Sequence, residues 1–160
     1  MPPEGAHKAS EIALSLPVVW STYRRLSGVT DGKLTTDLAG ISLPTPVGMA
    51  AGFDKDCKVL GSVLNLGFGF ITAGTVTLSY RPGNPKPRVV RIPERKAMMN
   101  SLGFPGQGLE SAVKRLQRVK KYRNRILVSI SGTIEDELIE CLSQAQSLVA
   151  GIELNISSPN

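Results

Sequence analysis

Histidine is almost absent. His7 is the only one in 160 residues, so no histidine triad and no cluster of histidine metal ligands can be built. Cysteine is nearly as scarce: Cys57 and Cys141 lie far apart and in no metal-ligand spacing, which excludes a disulfide-stapled scaffold and a zinc site. No apolar run approaches the roughly 18 residues of a membrane span. The opening Met1-Pro2-Pro3-Glu4-Gly5 has neither the basic start nor the apolar core of a signal peptide, so a cytoplasmic location is the expectation. Acid–base chemistry must therefore come from Ser, Lys, Asp, Glu, Cys or Tyr.

What is present is ordinary for a globular chain: 41% hydrophobic and 20% charged residues. The formal charge of +6, from 19 basic and 13 acidic residues, suits an anionic partner. The basic residues are scattered apart from a cluster at Lys114–Arg125, with no aromatic RNP-like or helix-turn-helix pattern beside them. That cluster reads as a solvated helix face, and no nucleic-acid partner is expected.

Residues 7–27 read as helical, with Ile12, Leu16, Val19, Tyr23 and Leu26 in one stripe and Pro17 ending or kinking the run. Leu14, Val18 and Trp20 lie off that stripe, and a helix apolar on more than one face wants a second partner, helix or membrane surface. A small hairpin follows around Leu38–Ile41. Strand and helix then alternate: strands at 47–50, 69–73, 126–130 and 151–155, helices at 57–66, 108–122 and 135–149, and an excursion of strand character at 86–92 and 96–100. On the helix at 108–122, Leu109, Val113, Leu116 and Val119 share one side. Four strands joined by three helical connections imply right-handed crossovers and a parallel sheet.

Each strand runs into small polar residues: Ala50-Ala51-Gly52-Phe53-Asp54-Lys55, Gly74-Thr75-Val76-Thr77, Ser131-Gly132-Thr133 and Asn155-Ile156-Ser157-Ser158-Pro159-Asn160. In α/β architectures ligands sit at the carboxyl ends of strands. Small residues let backbone approach a flat ligand, and hydroxyls and amides fix its polar edge. Such residues also serve as turns and caps, and Thr133 reads as the N-cap of the following helix. Met98 and Met99 read as packing residues, and Cys57 as a buried helix residue.

Together with Gly67-Phe-Gly-Phe70, Arg81-Pro-Gly-Asn-Pro-Lys-Pro-Arg88 and Asn100-Ser-Leu-Gly-Phe104, these motifs resemble, in order, those of the dihydroorotate dehydrogenases, over most of residues 36–160. Pro3-Glu-Gly-Ala-His7 is similar to a helix start in the N-terminal extension of class 2, quinone-reducing members. Ser158, where class 1 members carry Cys, points the same way.

The resemblance implies an α/β fold: the first four strands of a TIM (β/α)8 barrel (residues 34–160) behind a short helical extension (1–33). It implies FMN-dependent oxidation of dihydroorotate to orotate in pyrimidine biosynthesis, the hydride going to FMN and the proton to Ser158 as catalytic base. Substrate-binding roles fall to Lys55, Asn100, Ser101, Leu102, Gly103, Phe104, Asn155 and Asn160. Cofactor contacts fall to Ala51, Gly52, Lys55, Thr75, Ser129 and Asn155. Ser129 stands where class 2 members carry Asn, and Pro105-Gly106 leans toward class 1, the fumarate- or NAD-type alternative. Quinone is the implied acceptor, with peripheral contact at the cytoplasmic side of the membrane. The helical segment docks there, lines the acceptor's path or packs under the barrel. A complete barrel takes about 250 residues, so the chain is expected to pair with a missing C-terminal half or to self-associate, and by itself to be inactive; a truncated non-catalytic half barrel is the alternative reading.

Overall fold

Alternation of apolar segments with amphipathic helices produces the expected parallel sheet. The structure, a computed structural model, describes residues 1–28 and 31–157. Strands β3 (Gly48–Met49), β4 (Phe70–Val76), β7 (Ile126–Ile130) and β8 (Gly151–Leu154) lie in the order β3-β4-β7-β8, every pair parallel. The intervening helices are α3 (Leu60–Asn65), α4 (Leu109–Arg118) and α5 (Glu135–Ala145). Antiparallel hairpins β1 (Thr36–Leu38) with β2 (Ile41–Leu43), and β5 (Val89–Ile92) with β6 (Ala97–Asn100), flank this sheet.

The central strands read as apolar runs because helices cover them. Ile71, Ala73, Ile126, Val128 and Ile130 are buried, and they pack with Val63, Leu64, Leu109, Leu116 and Cys141. Each large side chain so buried contributes about 1.5–3 kcal/mol.

One irregularity positions the site. Ala73 pairs with Val128 and Val76 with Ile130, so three steps on β4 face two on β7, a bulge at Gly74-Thr75. Gly74 has φ +103°, and a Cβ there would stand 2.4 Å from the Ser129 carbonyl oxygen. Only glycine fits this close approach.

Several expectations need correction. The helical segment begins at Pro3 rather than at residue 7, and, as Pro17 led one to expect, it is broken into α1 (Pro3–Leu14) and α2 (Pro17–Ser27). Pro3 and Pro17 each open a helix, where the missing N–H costs nothing. Leu14 and Trp20 face the protein, whereas Ile12, Leu16, Val18, Val19, Tyr23 and Leu26 are exposed. The helix expected from residue 57 begins only at Leu60, because Asp54 takes the amides of Lys58 and Val59 and Cys57 adopts φ 59°. Cys57 is buried but precedes the helix. The helix expected to reach residue 122 ends at Arg118, where Val119 leaves helical geometry and a 3-10 turn, Lys120–Arg125, follows. That expected at 135–149 stops at Ala145. Thr133 does not cap α5; its N–H and hydroxyl both donate to Glu137 Oε2, at 2.7 and 2.9 Å. Met98 and Met99 are exposed on β6 rather than packed.

Candidate active site

Three strand ends converge. Thr75 lies on the bulge, Ser129 on β7, and Asn155 directly after β8. Asn155 Nδ2 donates to Thr75 Oγ1 at 2.9 Å, and the Thr75 and Ser129 hydroxyls share a hydrogen bond at 3.1 Å. The Asn155 N–H donates to the Ile130 carbonyl at 2.9 Å, and Ser131 Oγ donates to the Asn155 carbonyl at 3.3 Å. Parallel register supplies the first alignment and the bulge the second, because it re-aims Thr75 toward its neighbours.

The loop after β3 is sewn to the same place. Gly52 N–H donates to the Gly74 carbonyl at 2.7 Å, and Gly74 N–H to the Asp54 carbonyl at 2.9 Å. Asp54 is fully buried, and its carboxylate accepts from Lys58 and Val59 at 2.7 and 2.8 Å. Burial raises its pKa, partly offset by those two bonds. Gly52 has φ +100°, and nothing lies within 4 Å of where its Cβ would be. Bare backbone therefore faces open space, a cradle suited to a flat ligand.

Lys55 Nζ donates to the Gly52 carbonyl at 2.6 Å. Burial pushes its pKa below the ordinary lysine value, with Glu11, Asp56 and Glu4 opposing. A desolvated ammonium with no direct carboxylate partner among the described residues is prepared for an anionic ligand.

Lys55 also lines a cavity of about 730 Å³ between α1 and the β5–β6 hairpin, with Gly52, Asn100 and Leu102. Three further residues line it that the sequence motifs contained without a site role: Glu4, His7 and Arg88. Arg88 Nε and Nη2 donate to Glu4 Oε1, and its Nη1 donates to the Pro82 and Asn84 carbonyls. His7 meets Phe53 edge to face, ring centroids 5.3 Å apart. Burial, then the Lys55 charge, lower the His7 pKa, which keeps the ring neutral at pH 7. The spacing Glu4, His7, Glu11 on one helix face was the available signal.

The segment Asn100–Phe104 is held by backbone. Ser101 N–H donates to the Arg88 carbonyl at 2.9 Å, Asn84 N–H to Leu102 at 3.0 Å and Asn84 Nδ2 to Ser101 at 2.8 Å. Gly103 and Phe104 both have positive φ, 72° and 53°.

The structure thus forms two adjoining groups from the expected residues: Gly52, Thr75, Ser129 and Asn155 at the strand ends, and Lys55, Asn100 and Leu102 at the cavity, with the 50–56 loop between them. Ala51 sits in that loop; Ser101, Gly103 and Phe104 belong to the backbone-held segment and do not line the cavity. Ser158 and Asn160 lie outside the described residues.

A parallel α/β sheet with small polar residues and a half-buried lysine at its strand ends is an arrangement suited to binding a ligand. The chain belongs to the dihydroorotate dehydrogenase family, whose model matches residues 33–160. It is 44% identical over 128 residues to dihydroorotate dehydrogenase (quinone) of Halorhodospira halophila, covering 76% of this chain and 37% of that protein. The Thermus thermophilus quinone-type enzyme is 35% identical, over 99% of this chain and 49% of its own length. Ligand-free DHODH from Eimeria tenella superposes with a TM-score of 0.82 at 30% identity, over 99% of this chain and 46% of that one. The chain therefore spans half or less of the length of these relatives. The quinone type of the two bacterial relatives agrees with the class 2 resemblance.

Proposed function

We propose that the complete protein oxidises dihydroorotate to orotate with FMN, and that this chain supplies half of the site. The observation that carries the reading is the hydrogen-bonded group Thr75, Ser129 and Asn155 beside the bare backbone of Gly52. It fits a planar cofactor with a polar edge, and Ala51, Gly52, Lys55, Thr75, Ser129 and Asn155 would hold it. FMN, when bound, supplies the two-electron oxidation that no side chain can.

The chain's residues do the rest. Lys55 pairs with the substrate carboxylate, and binding that anion raises its depressed pKa again. Asn155 and Asn160 present donor and acceptor to the pyrimidine edge, and the backbone-held Asn100–Phe104 segment would contact it. Ser158 takes the proton, a role for which a hydroxyl needs a closed pocket and a relay. Quinone is the proposed acceptor: the cavity under α1 adjoins Lys55, and the exposed apolar residues of α1 and α2 support contact with the cytoplasmic face of a membrane. The outer strands β3 and β8 would gain neighbours from further strands, in the same polypeptide or another copy.

Anaerobic addition of dihydroorotate to the complete protein tests this reading. Bleaching of bound flavin with formation of one orotate per flavin is expected; a protein that binds flavin but is not bleached refutes it.

A further inference from the structure

The stretches 12–30, between Glu11 and Asp31, and 111–134, between Glu110 and Glu135, both lack acidic residues. The fold lays them side by side. The first turns of α2 (Pro17, Val18, Ser21) and the 3-10 turn (Lys121, Tyr122) line one groove of about 360 Å³. Further along, the Arg24 charge acts on Arg125 and helps lower its pKa, after burial. So α2, which packs chiefly on α3, has the Lys120–Arg125 turn beside its first turns and within reach of the Arg24 charge.

The cations of this surface divide into two kinds. Arg125 is committed inward, donating to the Phe68 and Gly69 carbonyls, and Lys114 pairs with Glu110. Arg25, Lys120, Lys121 and Arg123 are exposed, and none has a carboxylate within 4.0 Å among the described residues. Beside them stand Val18, 75% exposed, and Leu26, 82% exposed.

The geometry points to a composite docking surface for an anionic lipid bilayer, in which Val18, Val19 and Leu26 enter the interface while Arg25, Lys120, Lys121 and Arg123 meet lipid phosphates. This rests on the membrane-contact reading above and adds lipid selectivity and a second element, the Lys120–Arg123 turn, to it. Charge complementarity selects the occupant: exposed cations with no carboxylate within 4.0 Å among the described residues attract a negative surface. Exposed branched aliphatics favour a bilayer over nucleic acid, since they add nothing to phosphate contacts and offer no stacking face.

Flotation of the complete protein with vesicles tests the surface, comparing phosphatidylcholine alone with phosphatidylcholine plus phosphatidylglycerol. Each interfacial Lys or Arg is worth about 1 kcal/mol, roughly fivefold in affinity. Lys120→Gln/Lys121→Gln/Arg123→Gln should therefore weaken binding to anionic vesicles by about 100-fold and leave neutral binding unchanged. Lys120→Arg/Lys121→Arg should bind like the parent. Val18→Ser/Leu26→Ser should weaken binding to both vesicle types; if it weakens neither, the membrane-contact reading itself fails. A triple Gln variant with parental affinity for anionic vesicles overturns the inference, as does a duplex DNA that binds the parent more tightly than those vesicles.

Discussion

Arg88 and Glu4, 84 positions apart in the chain, meet through two hydrogen bonds: Arg88 Nε and Nη2 donate to one Glu4 oxygen at 3.0 and 2.8 Å. The same guanidinium holds the Pro82 and Asn84 carbonyls, and the Arg88 carbonyl accepts from Ser101. One side chain thus ties the N-terminal helix to the segment expected to hold substrate.

Helix α1 should loosen in acid in two stages. The Arg88 hydrogen bonds, above all, hold the Glu4 carboxyl below its usual value of 4.5, so their stabilisation is present above that pH and fades as pH falls through the lowered pKa. His7 adds an earlier stage. Its folded-state pKa lies below the ordinary 6.5, so the unfolded form binds protons more readily and stability declines once pH drops under about 6.5. Lys55 and Lys58 push that way and Glu11 opposes. Trp20, the only tryptophan, donates Nε1 to the Ala13 carbonyl and reports the region by fluorescence. Glu4→Gln should remove the second stage and speed hydrogen exchange in α1, a local loss of about 1 kcal/mol for a part-buried pair.

Asp54→Ala should destabilise the complete protein by about 2–4 kcal/mol in urea melts, because two amides lose their acceptor, each worth about 1–3 kcal/mol when left unpaired inside. Asp54→Asn keeps one acceptor oxygen and should cost about half as much. Equal midpoints for parent and Ala variant would show that water replaces the carboxylate.

Thr75→Val preserves shape and removes the hydroxyl shared by Ser129 and Asn155. FMN affinity, read by quenching of flavin fluorescence, should fall about tenfold, the equivalent of one or two hydrogen bonds, and the melting temperature should fall too, because buried Ser129 loses its partner.

Ser158→Ala should slow flavin bleaching by about 100- to 10,000-fold, the usual span for a general base, with orotate affinity nearly intact. Lys55→Ala should weaken orotate binding as well, since a desolvated carboxylate loses its counter-charge. Ser158→Cys should retain measurable activity. Stopped-flow bleaching at several pH values, with orotate titrations, separates these outcomes.

Much of this was legible beforehand. Strand 126–130 appeared in full because a fully covered strand reads as an unbroken apolar run. The pairing of Leu109 with Leu116 on one helix face followed from period alone. Thr75, Ser129 and Asn155 could be named from the ordered motifs. The Cys57 turn could not be foreseen, because Asp54 diverts two amides that would otherwise start a helix. The exposure of Met98 and Met99 was hidden too: they point to opposite faces of a hairpin that stands off the sheet, and period does not reveal that neither face is covered.

Local order along the chain therefore determined the α/β class, the parallel sheet and the family, since these depend on periodicity and on motifs written contiguously. Tertiary structure alone decided which distant groups meet. The bulge at Gly74 that turns Thr75 toward Asn155, the closure of Arg88 on Glu4, and the approach of α2 to the Lys120–Arg125 turn all arise from packing between elements. Their energies depend on separations in space that no spacing in sequence encodes.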